Sequence, residues 1–192
     1  MLNKKFFNQI LNDYQSYYRL REEGQKISRA ALRNSKQAIF SLHRDDIKEA
    51  KKILDGTESL FLNLEKLFVN QKKLQYEGFF CEAAEEFIEA KMFYEFLTEN
   101  KIDFKSRINF STNNYLGGVC DFTGEIVRKS IQLATAGKFK EIESFKKICE
   151  EILGELTKFD LVGKLRLKYD EAKRNLKRME EILYEIKMRQ RG

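Results

Sequence analysis

Two pairs of acidic residues at helical spacing carry the chemistry that this sequence suggests. Glu86 and Glu89 stand three positions apart in the segment EEFIEA, and Asp121 and Glu125 stand four apart in YLGGVCDFTGEI. Side chains at these spacings lie side by side on a helix, with about 5–6 Å between their Cβ atoms, so each pair can present two carboxylates in one direction. Two such pairs on facing helices would suit a hard divalent cation such as Mg²⁺ or Mn²⁺.

The first acidic pair lies on the apolar face of its predicted helix. On a helical wheel, Glu86 and Glu89 share one face with Glu82 and with four apolar side chains, Phe79, Ala90, Phe93 and Leu97. A carboxylate in an apolar stripe needs a counter-charge, a hydrogen-bond partner or a metal. We therefore expect these acids to be functional, although one such pair taken alone is more often a surface feature.

The helix of the second acidic pair carries further polar residues on the same face. Gly117 and Gly118 lie one turn before Asp121, and paired glycines let a second backbone or a ligand approach closely. The face that holds Asp121 and Glu125 also carries Asn114, Arg128 and Gln132. We expect this face to form the floor of a polar pocket, with Arg128 as a nucleic-acid contact.

A row of cations follows one side of the first predicted helix. Six of them fall within an arc of about 100° and form a stripe about 38 Å long, which we call the basic stripe: Arg19, Lys26, Arg29, Arg33, Lys36 and Arg44. Such a stripe could follow the phosphate backbone of a nucleic acid. An ordinary solvated helix face is an equally weighted alternative.

The composition predicts a single all-α domain over residues 1–192. Of the 192 residues, 42% are hydrophobic and 34% are charged, which is typical of a globular protein. Proline is absent and only 10 glycines occur, so little interrupts helices. The 36 Lys and Arg against 30 Asp and Glu give a net charge of +6, which favours a polyanionic partner.

The remaining reactive residue types point to no other chemistry. Cys81, Cys120 and Cys149 have no CxxC spacing and are predicted to be reduced core thiols. The single histidine, His43, has no nearby metal-ligand spacing and is predicted to be structural, which disfavours histidine-based zinc sites and the ExxH di-iron pattern. Because no apolar run approaches the ~18 residues of a membrane span, and no signal-peptide core follows the N-terminus, we expect a soluble, cytoplasmic protein without membrane contact.

The helices that must position these residues can be placed approximately. Their predicted ranges are 4–42, 45–70 with a candidate break at Asp55-Gly56, 74–98, 115–136 ending at Gly137, 138–156 and 164–188. Residues 101–114 are expected to be irregular, with Ser111 and Thr112 as candidate N-caps. The last helix carries a 4-3 apolar alternation, at Leu165, Tyr169, Ala172, Leu176, Met179, Leu183 and Ile186. This seam predicts packing against another helix, either in this chain or in a neighbouring subunit.

Four segments taken together resemble the translin family. They are REEGQKISRAALRNSKQAIFSLHR, EEFIEAKMFYEFL, YLGGVCDFTGEIVRKSIQLATAG and LRLKYDEAKRNLKRMEEILYEIKMR. The resemblance covers nearly the whole chain in matching order, and the EEFIEA and DFTGE segments are the most specific. Within the family, the sequence is most similar to the translin-associated factor X (TRAX) branch.

The resemblance implies a fold, an activity and a set of site residues. The fold would have about seven helices, with long antiparallel ones, and would assemble into a hollow, roughly octameric homo-oligomer. The activity would be Mg²⁺-dependent (or Mn²⁺-dependent) endoribonuclease cleavage of single-stranded RNA, with single-stranded DNA as a second ligand. TRAX-type subunits carry E-x-x-E and D-x-T-G-E segments, and the positions that match are Glu86, Glu89, Asp121 and Glu125. Translin-type subunits lack the aspartate, so this chain resembles the active branch.

One departure from the family pattern bears on RNA binding. The start of the third helix reads QYEGFFCEA, without the basic cluster with which translin-type subunits grip nucleic acid. Contact with RNA would then come from the basic stripe or from elsewhere. Three other functions stay open at this point: a catalytically silent nucleic-acid-binding module, an all-α nucleoside triphosphate pyrophosphatase, and a purely structural scaffold. The D-x-x-x-E spacing matches the E-x-x-D of such pyrophosphatases poorly.

Overall fold

The structure, a computed structural model, describes residues 2–103 and 106–189. These residues form six α-helices: α1 (Lys4–His43), α2 (Ile47–Leu67), α3 (Gly78–Glu99), α4 (Thr112–Thr135), α5 (Phe139–Leu156) and α6 (Gly163–Arg189). A short 3₁₀-helix (Lys72–Tyr76) precedes α3. The prediction of an all-α fold is confirmed. The predicted domain of residues 1–192 and the irregular segment 101–114 include residues outside the described ranges (1, 104, 105 and 190–192).

Several predicted helix ranges differ from the structure, and α3 begins at Gly78 instead of 74 because Lys72–Tyr76 forms a separate 3₁₀-helix. Two further differences lie in α2 and α4. Helix α2 continues through Asp55 and Gly56 without a break, because Leu54 and Phe61 on its buried face hold it against the core. Helix α4 begins three residues before the predicted Tyr115. Its N-cap is Ser111, whose hydroxyl accepts a hydrogen bond from the Asn114 backbone N–H at 3.2 Å, while Asn114 Oδ1 accepts one from the Ser111 backbone N–H at 3.3 Å.

The helices form two groups that meet at α3 and α4. Helices α1, α2 and α3 pack together, and so do α4, α5 and α6. The connection between α1 and α2 spans only three residues, 44–46, so these two helices run antiparallel. Aromatic rings fill the join between the groups: Phe122 of α4 lies 6.0 Å from Phe96 and 6.4 Å from Phe93 of α3, measured between ring centroids. In the part of the chain that the structure describes, no helix is long and apolar enough to cross a membrane.

The apolar seam of the last helix packs within the same chain. Its residues Ala172, Met179, Leu183 and Ile186 are buried, and α6 contacts α4 and α5. Helix α3 is likewise covered on several sides by its own chain, since Phe80, Phe87 and Phe93 are all buried. These surfaces therefore give no support for contact with a second subunit.

Helices α3 and α4 approach each other closely at two adjacent glycines. A Cβ atom built on Gly118 would lie 2.8 Å from the backbone carbonyl oxygen of Glu85 and 2.7 Å from the Cγ2 atom of Ile88. A Cβ atom on Gly117 would lie 2.9 Å from the Glu85 side chain. Any larger residue at these positions would push the two helices apart. The glycine pair therefore fixes how near the acidic residues of α3 and α4 can come to each other.

Replacement of Gly118 by alanine tests this contact. We expect Gly118→Ala to lower the free energy of unfolding by about 1–3 kcal/mol, because the new methyl group meets backbone that cannot move aside cheaply. The matched control is Gly56→Ala in α2, where a Cβ atom would meet nothing within 4 Å. That change should stabilise the protein by up to about 1 kcal/mol through helix propensity. Urea denaturation of both variants gives the answer, and equal stabilisation by the two would contradict the proposed close contact.

A candidate carboxylate active site between α3 and α4

The structure brings the four predicted acids to the interface between two helices. Helix α3 supplies Glu86 and Glu89, and α4 supplies Asp121 and Glu125. Glu89 is buried, with 8% of its surface exposed, and the other three are half-buried. Burial raises the pKa of Glu89 well above its usual range, and the negative charges of the other three acids raise it further. The four carboxylates are therefore close enough to repel one another.

The same two causes act on the neighbouring carboxyl groups. Burial raises the pKa of Glu86, Lys36 lowers it in part, and the charges of Asp121 and Glu125 raise it again. Burial also raises the pKa of Asp121, although its hydrogen bond with Lys168 opposes that rise. The ionised forms of these acids are therefore unfavourable at this site, and a bound cation would stabilise them.

Two charged residues that the sequence analysis did not include belong to this site. Lys168 of α6 forms an ion pair with Asp121, and its Nζ atom lies 3.0 Å from a carboxylate oxygen of Glu85. Glu85 is buried, with 7% of its surface exposed, and it also pairs with Lys164 at 3.0 Å. Burial opposes the charge of Lys168, but its hydrogen bonds to Asp121 and Glu85 outweigh that effect and raise its pKa. Lys168 is therefore a fixed cation at neutral pH.

These residues correct the helical wheel of α3. Glu82, which the wheel placed beside Glu86 and Glu89, is exposed, and Glu85 occupies the buried position instead. The sequence contains a weak indication that Glu85 belongs to the site, since it stands four residues before Glu89 in a run of acids. No local pattern indicated Lys168, because only the packing of α6 on α4 brings it to Asp121, which lies 47 positions earlier in the chain.

His43, predicted to be structural, lies beside the site and contacts one of its acids, which the sequence analysis did not predict. Its imidazole is buried, and its Nε2 atom forms a hydrogen bond with the Glu125 carboxylate. The buried ammonium of Lys129 holds the end of α1 in place, donating to the carbonyl oxygens of Leu42 at 3.3 Å and His43 at 3.5 Å. Lys129 also pairs with Asp45 at 2.6 Å. Sequence spacing could not reveal the contact between His43 and Glu125, because these residues are 82 positions apart.

The donor chemistry of the site fits a hard divalent cation. Carboxylate oxygens from two helices are the ligands that Mg²⁺ and Mn²⁺ prefer. The described residues contain no group of three or more His, Cys, Asp or Glu side chains already arranged as a ligand set. In the structure Asp121 is held by Lys168, and Glu125 by His43. A cation at this site requires these side chains to turn away from those partners.

The cations predicted to bind nucleic acid reach the edge of the carboxylate site. All six residues of the basic stripe are exposed, five of them on α1 and Arg44 at its C-cap. Lys36, within this stripe, places its Nζ atom 3.7 Å from a Glu86 oxygen, and the exposed Arg128 lies 3.6 Å from a Glu125 oxygen. Asn114 and Gln132 do not extend the site, since Asn114 caps α4 and Gln132 is exposed. The predicted polar floor therefore reduces to the acids and Arg128.

Comparison with known proteins identifies the family. The sequence model of the translin family matches residues 19–190. The chain belongs to the translin family. A family relative, an uncharacterized protein of Methanocaldococcus jannaschii, is 28% identical over 167 residues, which cover 85% of this chain and 74% of that protein.

Solved structures show that the fold extends over at least 95% of the chain. The crystal structure of apo-NeC3PO has a TM-score of 0.85 and 24% identity, covering 96% of this chain and 97% of that one. AfC3PO superposes with a TM-score of 0.87 and 22% identity, covering 97% and 99%. A complex of AfC3PO with duplex RNA gives a TM-score of 0.87 and 21% identity, covering 95% and 96%. At these identities the likeness establishes the fold.

Because the pKa of Glu89 is raised, replacing this residue with a neutral one should change the thermal stability of this translin-family protein in a pH-dependent way. Below about pH 4.3 the carboxyl is protonated in both the folded and the unfolded chain, and it adds no pH-dependent cost. As the pH rises above that value, only the unfolded chain ionises freely, so the native state loses stability. We therefore expect Glu89→Gln to raise the Tm at pH 7 in EDTA and to change it little near pH 4.

The control for this measurement is Glu82→Gln, which changes an exposed residue on the same helix. It should leave the Tm nearly unchanged at both pH values. A loss of stability at pH 7 in the Glu89→Gln variant would contradict the burial of an uncompensated carboxyl at this position.

Proposed function

We propose that this protein is a Mg²⁺-dependent endoribonuclease of the TRAX type, which cleaves single-stranded RNA inside a hollow homo-oligomer. The observation that carries the proposal is the convergence of four acids from α3 and α4, next to exposed cations that can bind phosphate. A structural scaffold would have no use for carboxylates that repel one another at a helix interface.

The metal ligands in this proposal are Glu86, Glu89, Asp121 and Glu125. Their oxygens would hold Mg²⁺ or Mn²⁺, which supplies charge neutralisation at the scissile phosphate and a lower pKa for the attacking water. The D-x-T-G-E segment supports the TRAX branch in particular, because it retains the aspartate at position 121.

The protein's own residues take separate roles around the phosphate. Glu89, as the carboxylate not fully used as a ligand, would be the general base: beside a bound cation it would stay ionised, and it would then accept a proton from the attacking water. His43 orients the carboxylate of Glu125 through its hydrogen bond. Lys36 and Arg128 lie at the edge of the site and bind non-bridging oxygens of the substrate.

RNA is the substrate class that the surface charge favours. Lys36 is the residue of the basic stripe that pairs with an acid of the site. A phosphate backbone bound along α1 would therefore pass beside the acids. The complex of AfC3PO with duplex RNA supports RNA as a ligand of this fold. Single-stranded RNA is the proposed cleavage substrate, and single-stranded DNA can bind through the same phosphate contacts.

An exposed apolar face at the start of α1 supports assembly of the chain into an oligomer, for which the family resemblance suggests an octamer. Five large side chains on the first four turns are about half exposed: Phe6, Phe7, Ile10, Leu11 and Tyr14. They fall on one side of the helix, opposite a polar side. An amphipathic helix whose apolar side stays about half exposed among the described residues is well suited to pack on a second copy.

A nucleic-acid-binding module without catalysis is the second candidate function. The observation in its favour is Lys168, whose ammonium already occupies the space between Asp121 and Glu85 and neutralises part of the acidic cluster. If this pairing persists when RNA binds, the acids serve stability rather than hydrolysis. Turnover that depends on added metal distinguishes the two functions.

Cleavage of labelled RNA by matched variants tests the proposal. Purified protein is incubated with single- and double-stranded RNA, with Mg²⁺ or with EDTA. We expect Mg²⁺-dependent cleavage by the wild type and a loss of at least about 100-fold in the Asp121→Asn and Glu89→Gln variants, because each removes a ligand or base. The control Glu82→Gln, one turn before Glu86, should cleave normally. Near wild-type cleavage by both site variants, with oligomer size unchanged by light scattering, would falsify the site.

A further inference from the structure

An exposed aromatic side chain lies between the last two cations of the basic stripe. Phe40 has 54% of its surface exposed, although the residues around it on this side of the helix are charged. It stands four residues after Lys36 and four before Arg44, so all three lie along one side of α1. The guanidinium of Arg44 lies 5.6 Å from the centre of the Phe40 ring. The stripe therefore combines phosphate-binding cations with an aromatic surface.

Phe40 also lines a groove between α1 and α2. The groove has a volume of about 670 Å³ and is open to solvent. Leu32 and Ile53 provide its apolar part, and Arg29, Arg33 and Lys36 provide its cationic side. Glu49 lies in the groove as well, where Lys52 pairs with it at 3.7 Å. A groove with an apolar wall and a cationic side suits a flat apolar group attached to a phosphate.

We propose that Phe40 is a stacking platform for an unpaired nucleotide base, with Arg29, Arg33 and Lys36 holding the phosphates beside it. This inference rests on the proposed function and assigns the preference for unpaired RNA to one residue. Base stacking on an exposed aromatic ring needs a base that has left its helix, whereas phosphate contacts serve paired and unpaired strands alike. The stripe then provides general affinity, and Phe40 selects single strands.

The position of Phe40 relates the stacked base to the carboxylate site. Lys36 lies 3.7 Å from Glu86 and is one helical turn from Phe40, or about 6 Å along the axis of α1. That spacing is close to the distance between successive phosphates of an extended strand. A base on Phe40 would thus belong to a nucleotide near the scissile phosphate, and stacking would fix the register of the strand at the acids.

Binding of matched RNAs to Phe40 variants tests the inference. Fluorescence anisotropy in EDTA compares a labelled single strand with a blunt duplex of the same length. We expect Phe40→Ala to weaken single-strand binding about 5- to 100-fold and duplex binding less than about twofold. The control Tyr184→Ala removes another exposed ring, on α6, and should change neither. The double variant Arg29→Glu/Arg33→Glu should weaken both and flatten the salt dependence, because fewer counterions are released.

A spectroscopic variant provides a direct signal of stacking. The chain contains no tryptophan, so Phe40→Trp introduces a single reporter at this position. Its fluorescence should be quenched by single-stranded RNA and little changed by the duplex, and its single-strand affinity should match that of the wild type.

Three results would overturn the inference. Equal losses on both RNAs in Phe40→Ala, or no loss on either, would show that the ring does not select unpaired bases. A change in oligomer size with intact RNA binding would assign Phe40 to an interface between copies of this chain. Failure of the wild type to bind any RNA would overturn the proposed function as well, and the wild-type titration detects that case separately.

Discussion

The close contact of α3 with α4 is the constraint on which the rest of the site depends. Gly117 and Gly118 let the two backbones approach until a single added methyl group would overlap the Glu85 carbonyl. At that separation the acids of the two helices share one small region, where burial raises the pKa of Glu89 and the charges of the other acids raise it further. The DFTGE and EEFIEA segments therefore act together, and neither would build the site on a helix placed farther away.

Burial of several carboxylates at one interface is electrostatically unfavourable, and basic side chains surround them. Lys168 neutralises Asp121 and Glu85 from α6, His43 meets Glu125 from the end of α1, and Lys36 faces Glu86 from the solvent side. Each basic side chain comes from a different direction. Glu89 forms no ion pair among the described residues, and the charge of Lys168 only partly offsets the rise of its pKa. Glu89 is consequently the acid whose protonation depends most on its surroundings, which is the property that a general base needs.

The sequence predicted the helices and the four acids, because both depend on local spacing. Periodicity of apolar residues placed α1 to α6 within a few residues, and spacings of three and four put Glu86, Glu89, Asp121 and Glu125 on helix faces. The partners of these acids depend on tertiary packing. Lys168 and His43 meet residues 47 and 82 positions away, and no local pattern encodes such distances. The wheel of α3 erred at Glu82 for a related reason, since α4 rather than the helix itself decides which acid is covered.

The most direct test of the account is a crystal structure grown with Mn²⁺, with anomalous scattering recorded to locate the metal. We expect an anomalous peak within about 2.5 Å of carboxylate oxygens from both α3 and α4, with Lys168 turned away from Asp121. A map without a peak at this interface, at saturating Mn²⁺ and with the Lys168–Asp121 ion pair intact, would contradict the claim that the close contact of these two helices builds a metal site.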